Sequence, residues 1–224
     1  MSDKRQRLLE LARLRQRARW EGYHSLAEYH EGAYECDWVS PYSKTAGNVD
    51  AEVFILLQDW SSDDELRGRF DSGSAELGHT PAFPTNRNLK RLLRMTFDLG
   101  LGDVFGTNLF PFIKPGGIST RIQNRDLDRA ALEFALPQVR IVEPEVVVCL
   151  GLVTFNAVRR ACHQAACLRM DEAIDSPFKF DTSWMWCQAH TGALGQNNRG
   201  KERVVADWQR MKAEVRRSST SGCN

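Results

Sequence analysis

A chain of 224 residues is long enough for one full-sized α/β domain with a helical extension and too short for two enzyme domains. An apolar fraction of 42%, a charged fraction of 26% and a formal net charge of +1 are ordinary for a globular protein. They exclude binding of polyanions through bulk charge, so any nucleic-acid surface has to be a local patch.

No uninterrupted apolar run approaches the length of a membrane span. The start, Met1-Ser2-Asp3-Lys4-Arg5, lacks the apolar stretch of a secretory signal, which makes a cytoplasmic location the expectation. Residues 3–20 set Leu8, Leu9, Leu11, Ala12 and Leu14 among seven basic residues, the pattern of a basic amphipathic helix docked on the domain surface. Residues 37–49, with Pro41, Gly47 and Asn48, read as the loop that closes this helical prelude.

The first strand is the run Val53-Phe54-Ile55-Leu56-Leu57, which passes straight into Gln58 and Asp59. Five large apolar residues without alternation predict a strand buried on both faces, and the polar pair falls at its carboxyl end. Residues 61–85 carry three Gly and two Pro and few apolar side chains. A loop of that length in a compact domain is functional or disordered. Residues 86–99 place Leu89, Leu92, Leu93 and Phe97 at helical spacing, stopped by Gly100 and Gly102.

A second strand is predicted over 103–109, with Asn108 at its carboxyl end, and a Pro- and Gly-rich loop over 110–117. Residues 125–142 read as a helix that Pro137 interrupts. Glu145-Val146-Val147-Val148-Cys149-Leu150 is a third strand and Gly151 opens the helix after it, the strand-to-helix corner of a parallel sheet. The fourth strand, 183–189, runs into His190. A Gly- and Asn-rich loop is expected over 191–200 and a final helix over 202–217, leaving 218–224 as a frayed tail.

The six cysteines are scattered and contain no Cys-x-x-Cys pair, so free thiols are expected. Cys162 and Cys167, beside His163, fall on different helix faces, so no metal site is predicted. No glycine-rich phosphate loop or nucleophile elbow occurs, and neither Ser61 nor Cys149 sits in one. Covalent-hydrolase and nucleotide-cofactor functions lose ground accordingly. The expected fold is α/β, three layers in an α/β/α arrangement around a four-stranded parallel sheet with an N-terminal helical extension. Its divisions are residues 1–48, 49–217 and 218–224. Parallel strands put their carboxyl ends on one edge, so Asp59, Asn108 and His190 should converge there.

These residues resemble the uracil-DNA glycosylase superfamily. The family's first motif, Gly-Gln-Asp-Pro-Tyr in one branch, is matched by Leu57-Gln58-Asp59-Trp60-Ser61. Its strand-end Asn, commonly after Thr, is matched by Thr107-Asn108, and its last motif, His-Pro-Ser-Pro-Leu, by His190-Thr191-Gly192-Ala193-Leu194. The stretch from Pro144 to Gly151 is similar to the family's third strand and Leu-Gly corner, and the resemblance spans residues 49–211. Trp60-Ser61 stands where the family has Pro-Tyr, so the tyrosine that excludes a 5-methylated base is absent. Thr191-Gly192 replaces Pro-Ser, and the cysteines of the iron-sulfur branch are missing, so no cluster is expected.

The resemblance implies a monofunctional DNA glycosylase that hydrolyses the N-glycosidic bond of uracil or a related deaminated base, with no metal or other cofactor. It implies a monomer whose partner is DNA carrying the damaged base. In that scheme Asp59 positions water and supports the cationic sugar, and His190 hydrogen-bonds the departing base. Asn108 reads the base edge, with Gln58 contributing to the base pocket. Leu194 fills the gap left by the flipped nucleotide, and Phe83, with Phe70 as reserve, stacks on the base. Arg199 and Lys201, just past Leu194, are candidate phosphate contacts. Two alternatives stand beside it. One is a catalytically silent nucleic-acid- or partner-binding member of the same fold. The other is a small-molecule hydrolase on an unrelated sheet, for which Asp59 and His190 would lie on opposite edges.

Overall fold

The structure, a computed structural model, describes residues 3–220, with side chains through residue 217. Of the expected tail at 218–224, residues 218–220 instead continue the last helix, which runs to Thr220, and 221–224, with Cys223, lie outside the described residues. The centre is a mixed sheet of β1 (Val53–Asp59), β2 (Phe105–Phe110), β3 (Val146–Leu150), β4 (Phe178–Phe180) and β5 (Ser183–Gln188) in the order β2-β1-β3-β5-β4. β2, β1, β3 and β5 are parallel; β4 runs antiparallel to β5, pairing Phe178 with Met185 and Phe180 with Ser183.

The α/β class thus stands, but the four-stranded all-parallel sheet is corrected to five strands with an antiparallel edge. Phe178-Lys179-Phe180 is too short for periodicity to reveal it. Its hairpin turns through Asp181, at φ 50, and Thr182 rather than through a Gly-containing pair. Lys179 is exposed on this edge, a charge that discourages further strand addition.

The helices are α1 (Asp3–Arg17), α2 (Asp63–Arg67), α3 (Ser72–Leu77), α4 (Pro84–Phe97), α5 (Asn124–Ala130), α6 (Leu136–Val142), α7 (Leu152–Ala161), α8 (Met170–Ile174), α9 (Ala193–Arg199) and α10 (Lys201–Thr220). They explain the unbroken apolar run of β1, because both of its faces are covered. Val53, Ile55 and Leu57 pack with Leu89, Leu92 and Leu93 of α4 and with Trp208 and Met211 of α10. Phe54 and Leu56 point the other way and pack with Leu127 of α5, Phe134 and Phe155 of α7.

The predicted helix over 125–142 is present in three pieces. α5 passes into a π turn, Ala131–Ala135, and then into α6. Leu136 N–H donates to the carbonyl of Ala131, five residues back, and this widened turn lets Pro137 sit at the start of α6, where its missing N–H leaves no broken bond. Two expected loops are partly helical. Residues 61–85 hold α2 and α3, and residues 191–200 hold α9. Gly195, Asn197 and Asn198 are poor helix formers, so α9 depends on tertiary contacts, chiefly Arg199 with Asp207 and Asp171.

The N-terminal residues share the main core. Trp20 packs on Phe110 and Phe112, ring centroids 5.9 and 4.8 Å away. Arg15, fully buried, pairs with Glu35 at 2.5 Å and donates to the carbonyl of Trp38 at 2.9 Å. Residues 40–47 cover the free edge of β2, where Gly106 N–H donates to Ala46 O at 2.6 Å and Ser43 Oγ to Gly106 O at 2.7 Å. Among the described residues no helix is long and apolar enough to cross a membrane.

Candidate functional site

β1, β2, β3 and β5 deliver their carboxyl ends to one edge of the sheet. Asp59 is the last residue of β1 and Asn108 stands opposite Leu57 in β2. His190 follows the end of β5 by two residues. β3 lies between β1 and β5, and the negative charge of Asp59 acts to favour the protonated form of His190.

Asp59 is held on both carboxylate oxygens. Lys114 Nζ lies 2.7 Å from Oδ2, with the two side chains only 4% and 10% exposed, and Gln58 Nε2 donates to Oδ1 at 2.9 Å. Lys114 also donates to the carbonyl of Ile118 at 2.6 Å. Its own carbonyl accepts from Asp63 N–H at 2.9 Å, so the ammonium joins the end of β1 to its own loop while the backbone of Lys114 holds the segment that follows β1. Sequence reasoning misses Lys114. Its one signal is that it is the only charge in the Pro- and Gly-rich loop at 110–117.

The turn carrying His190 is built from close backbone approaches. Gly192 N–H donates to His190 Nδ1 at 3.0 Å. An acceptor at Nδ1 means that the neutral ring carries its proton on Nε2, and among the described residues Nε2 has no hydrogen-bond partner. A Cβ on Gly195 would lie 2.2 Å from the carbonyl oxygen of His190, and one on Gly192 would lie 2.9 Å from Nδ1. The turn is buttressed by α4, where Asn88 Nδ2 donates to Thr191 O at 2.8 Å.

Burial holds the His190 imidazole below its ordinary value of 6.5, and the negative charge of Asp59 offsets this only in part. A histidine lowered in this way binds fewer protons folded than unfolded. Its stabilising contribution is therefore complete above about pH 6.5 and is lost as pH falls through the lowered value. We expect His190→Gln to remove part of the stability decrease between pH 7.5 and 5.5, read from denaturation midpoints. An unchanged difference would show that His190 is not the titrating group. His79, also lowered by burial, supplies a separate share.

The other expected site residues divide. Asn108 is buried, and Ser40 Oγ donates to its Oδ1 at 2.5 Å, which leaves Nδ2 for any ligand; Ser40 is a second group that the sequence does not reveal. Phe83 caps α4 and is 56% exposed, and Leu194 in the first turn of α9 is 74% exposed. Phe70 packs against His30 and Tyr34 at ring distances of 5.2 and 5.6 Å. Arg199 is committed to Asp207 at 2.7 Å and to Asp171. Lys201 is exposed at the start of α10. Trp60, next to Asp59, donates through Nε1 to Gly78 O at 2.7 Å and meets Tyr34 edge-on.

A depression of 330 Å³ lies at the other end of the strands, lined by Lys4, Asp50, Glu52, Glu143 and Glu145 among others. It has no part in the chemistry of the Asp59 edge. Among the described residues no group of three His, Cys, Asp or Glu side chains is placed to hold a metal. What the edge offers is an ion-paired carboxylate, a neutral imidazole with its Nε2 proton unclaimed and an amide nitrogen. No family model matches the chain, and no curated protein matches it at a significant level.

Proposed function

We propose that the protein is a DNA glycosylase-like enzyme similar to the uracil-DNA glycosylase superfamily, with the three-layer α/β/α organisation of that fold. It hydrolyses the N-glycosidic bond of uracil or a related deaminated base. The observation that carries the reading is the placement of Asp59 and His190 at the carboxyl ends of parallel strands on one sheet edge, with the His190 tautomer fixed by Gly192 N–H. As the glycosidic bond stretches, positive charge grows on the sugar and negative charge on the base. Asp59 answers the first and holds the attacking water, since each carboxylate oxygen has a second lone pair beyond those used by Lys114 and Gln58. His190 donates Nε2–H to the base oxygen that gains charge, an electrostatic role for which a neutral ring is sufficient.

Leu194 supports the same reading. A large apolar side chain 74% exposed on the helix that follows the His190 turn has the placement of a wedge that fills the stack when a nucleotide is extruded. Leu194→Ala should leave stability within about 0.5 kcal/mol, as for other exposed positions. It should slow base release from double-stranded DNA by roughly tenfold, while release from single strands, which need no extrusion, changes little. Equal slowing on both substrates would remove the wedge role.

The test of the activity is release of free base from single- and double-stranded oligonucleotides containing uracil, hypoxanthine or xanthine. Release that His190→Ala slows by about a hundredfold or more fits the loss of one preorganised donor. No release from any substrate by folded protein would sink the enzymatic reading. A second reading, a catalytically silent nucleic-acid-binding member of the fold, is favoured by the engagement of both Asp59 oxygens. DNA binding without turnover would decide for it.

A further inference from the structure

α4 carries the densest run of positive charge on the described surface beside the site. Its fourteen residues include Arg87, Lys90, Arg91 and Arg94 and no Asp or Glu. At about 100° per residue these four fall within an arc of about 100°, and Phe83 at the N-cap falls in the same arc. The opposite side, Leu89, Leu92 and Leu93, is sealed in the core. All four cations are exposed. Arg94 pairs with Asp98 at 3.1 Å, whereas Arg87, Lys90 and Arg91 make no ion pair among the described residues. From Arg87 to Arg94 the stripe is about 10 Å long, the axial rise of about three nucleotides of one DNA strand.

We propose that this stripe is a phosphate track on which α4 binds the sugar-phosphate backbone of DNA beside the candidate site. The inference rests on the reading of that site as one that acts on DNA. α4 begins at the site, since Asn88 holds the carbonyl of Thr191 and Thr85 Oγ1 lies 3.1 Å from where a Cβ on Gly192 would be. The stretch just before the cations, Pro81-Ala82-Phe83-Pro84, is exposed and apolar. An apolar tip followed by unneutralised cations suits a nucleic acid, which offers base faces and phosphates together. The assignment also moves the phosphate contact away from Arg199, whose guanidinium is already occupied by two carboxylates.

The experiment is the salt dependence of binding to an undamaged duplex and to a single strand, by fluorescence anisotropy, for the full chain and for the triple variant R87Q/K90Q/R91Q. These side chains make no hydrogen bond or ion pair among the described residues, so circular dichroism should be unchanged. The slope of log K against log salt should drop in magnitude by about 2 to 3, at about 0.9 per lost phosphate contact, with affinity at 50 mM salt about tenfold weaker or more. R13Q/R17Q, on α1 against the other face of the sheet, should leave the slope unchanged. An unaltered slope in the triple variant overturns the proposal, as does absence of salt-dependent DNA binding in the parent chain. So does a loss confined to vesicles of anionic and zwitterionic phospholipid, which would assign the stripe to a lipid surface. Binding is read on DNA without a damaged base, so failure of the track and failure of base release are seen separately.

Discussion

Lys114→Met should destabilise the protein by about 3 kcal/mol or more in denaturant unfolding at pH 7, the largest loss we expect from any single surface-distant charge in the chain. The reason is the burial of both partners, at 4% and 10% exposure, with 2.7 Å between them. Removing one member of such a pair leaves the other charged, desolvated and uncompensated, which costs about 3–5 kcal/mol. Lys114 is also the clasp on Ile118 O, so the loop at 111–118 should loosen along with the end of β1. The double variant Lys114→Met/Asp59→Asn should recover more than half of the loss, because no buried charge is left unpaired and Gln58 can still hydrogen-bond the amide. If the single-variant costs simply add, the two groups are not energetically coupled and the ion pair is not the feature that secures this edge.

Asp59→Asn should lower kcat/KM for base release by about a thousandfold, equivalent to about 4 kcal/mol of transition-state stabilisation. Asn keeps the size of Asp and can still accept from Lys114, so the substitution removes charge more than shape. The comparison is made below the unfolding transition, with the folded fraction measured in the same sample. A loss in kcat at near-constant KM is expected, because in the proposed reaction the carboxylate acts on a charged sugar that exists only in the transition state. A thousandfold loss carried by KM would point to ground-state binding, and an active variant would remove Asp59 from the mechanism. Both variants break the buried pair and should lose stability in denaturant, so turnover is compared per folded molecule: Asp59→Asn removes the reacting carboxylate, whereas Lys114→Met leaves it in place.

The core of this protein is legible in its sequence wherever burial forces a pattern. The run from Val53 to Leu57 can only be a strand covered on both sides, and the carboxyl ends of parallel strands must share an edge, so Asp59 and His190 could be placed together from their positions alone. Lys114 is invisible at that level because its partner is 55 positions away on another segment. A lysine between Ile113 and Pro115 carries no sign of being desolvated. Ser40 escapes for the same reason, since its link to Asn108 depends on how residues 40–47 close over β2. α9 is missed because Gly and Asn lower its local helical preference while the contacts of Arg199 and the packing of Gly195 raise its stability in place. β4 is missed because three residues hold too little periodicity to detect.

The close approaches around His190 also constrain which other chains share this turn. Any residue larger than glycine at position 195 would collide with the carbonyl of His190, and at 192 with its ring. A chain that folds its histidine in this way must therefore carry glycine five places after it, where the backbone carbonyl stands in the way, and is favoured to carry glycine two places after it, where the ring would have to shift. That spacing is a fingerprint set by steric exclusion. It is independent of the prolines and serine in the superfamily motif this turn resembles, and it gives a concrete pattern by which distant relatives of this protein can be picked out from sequence.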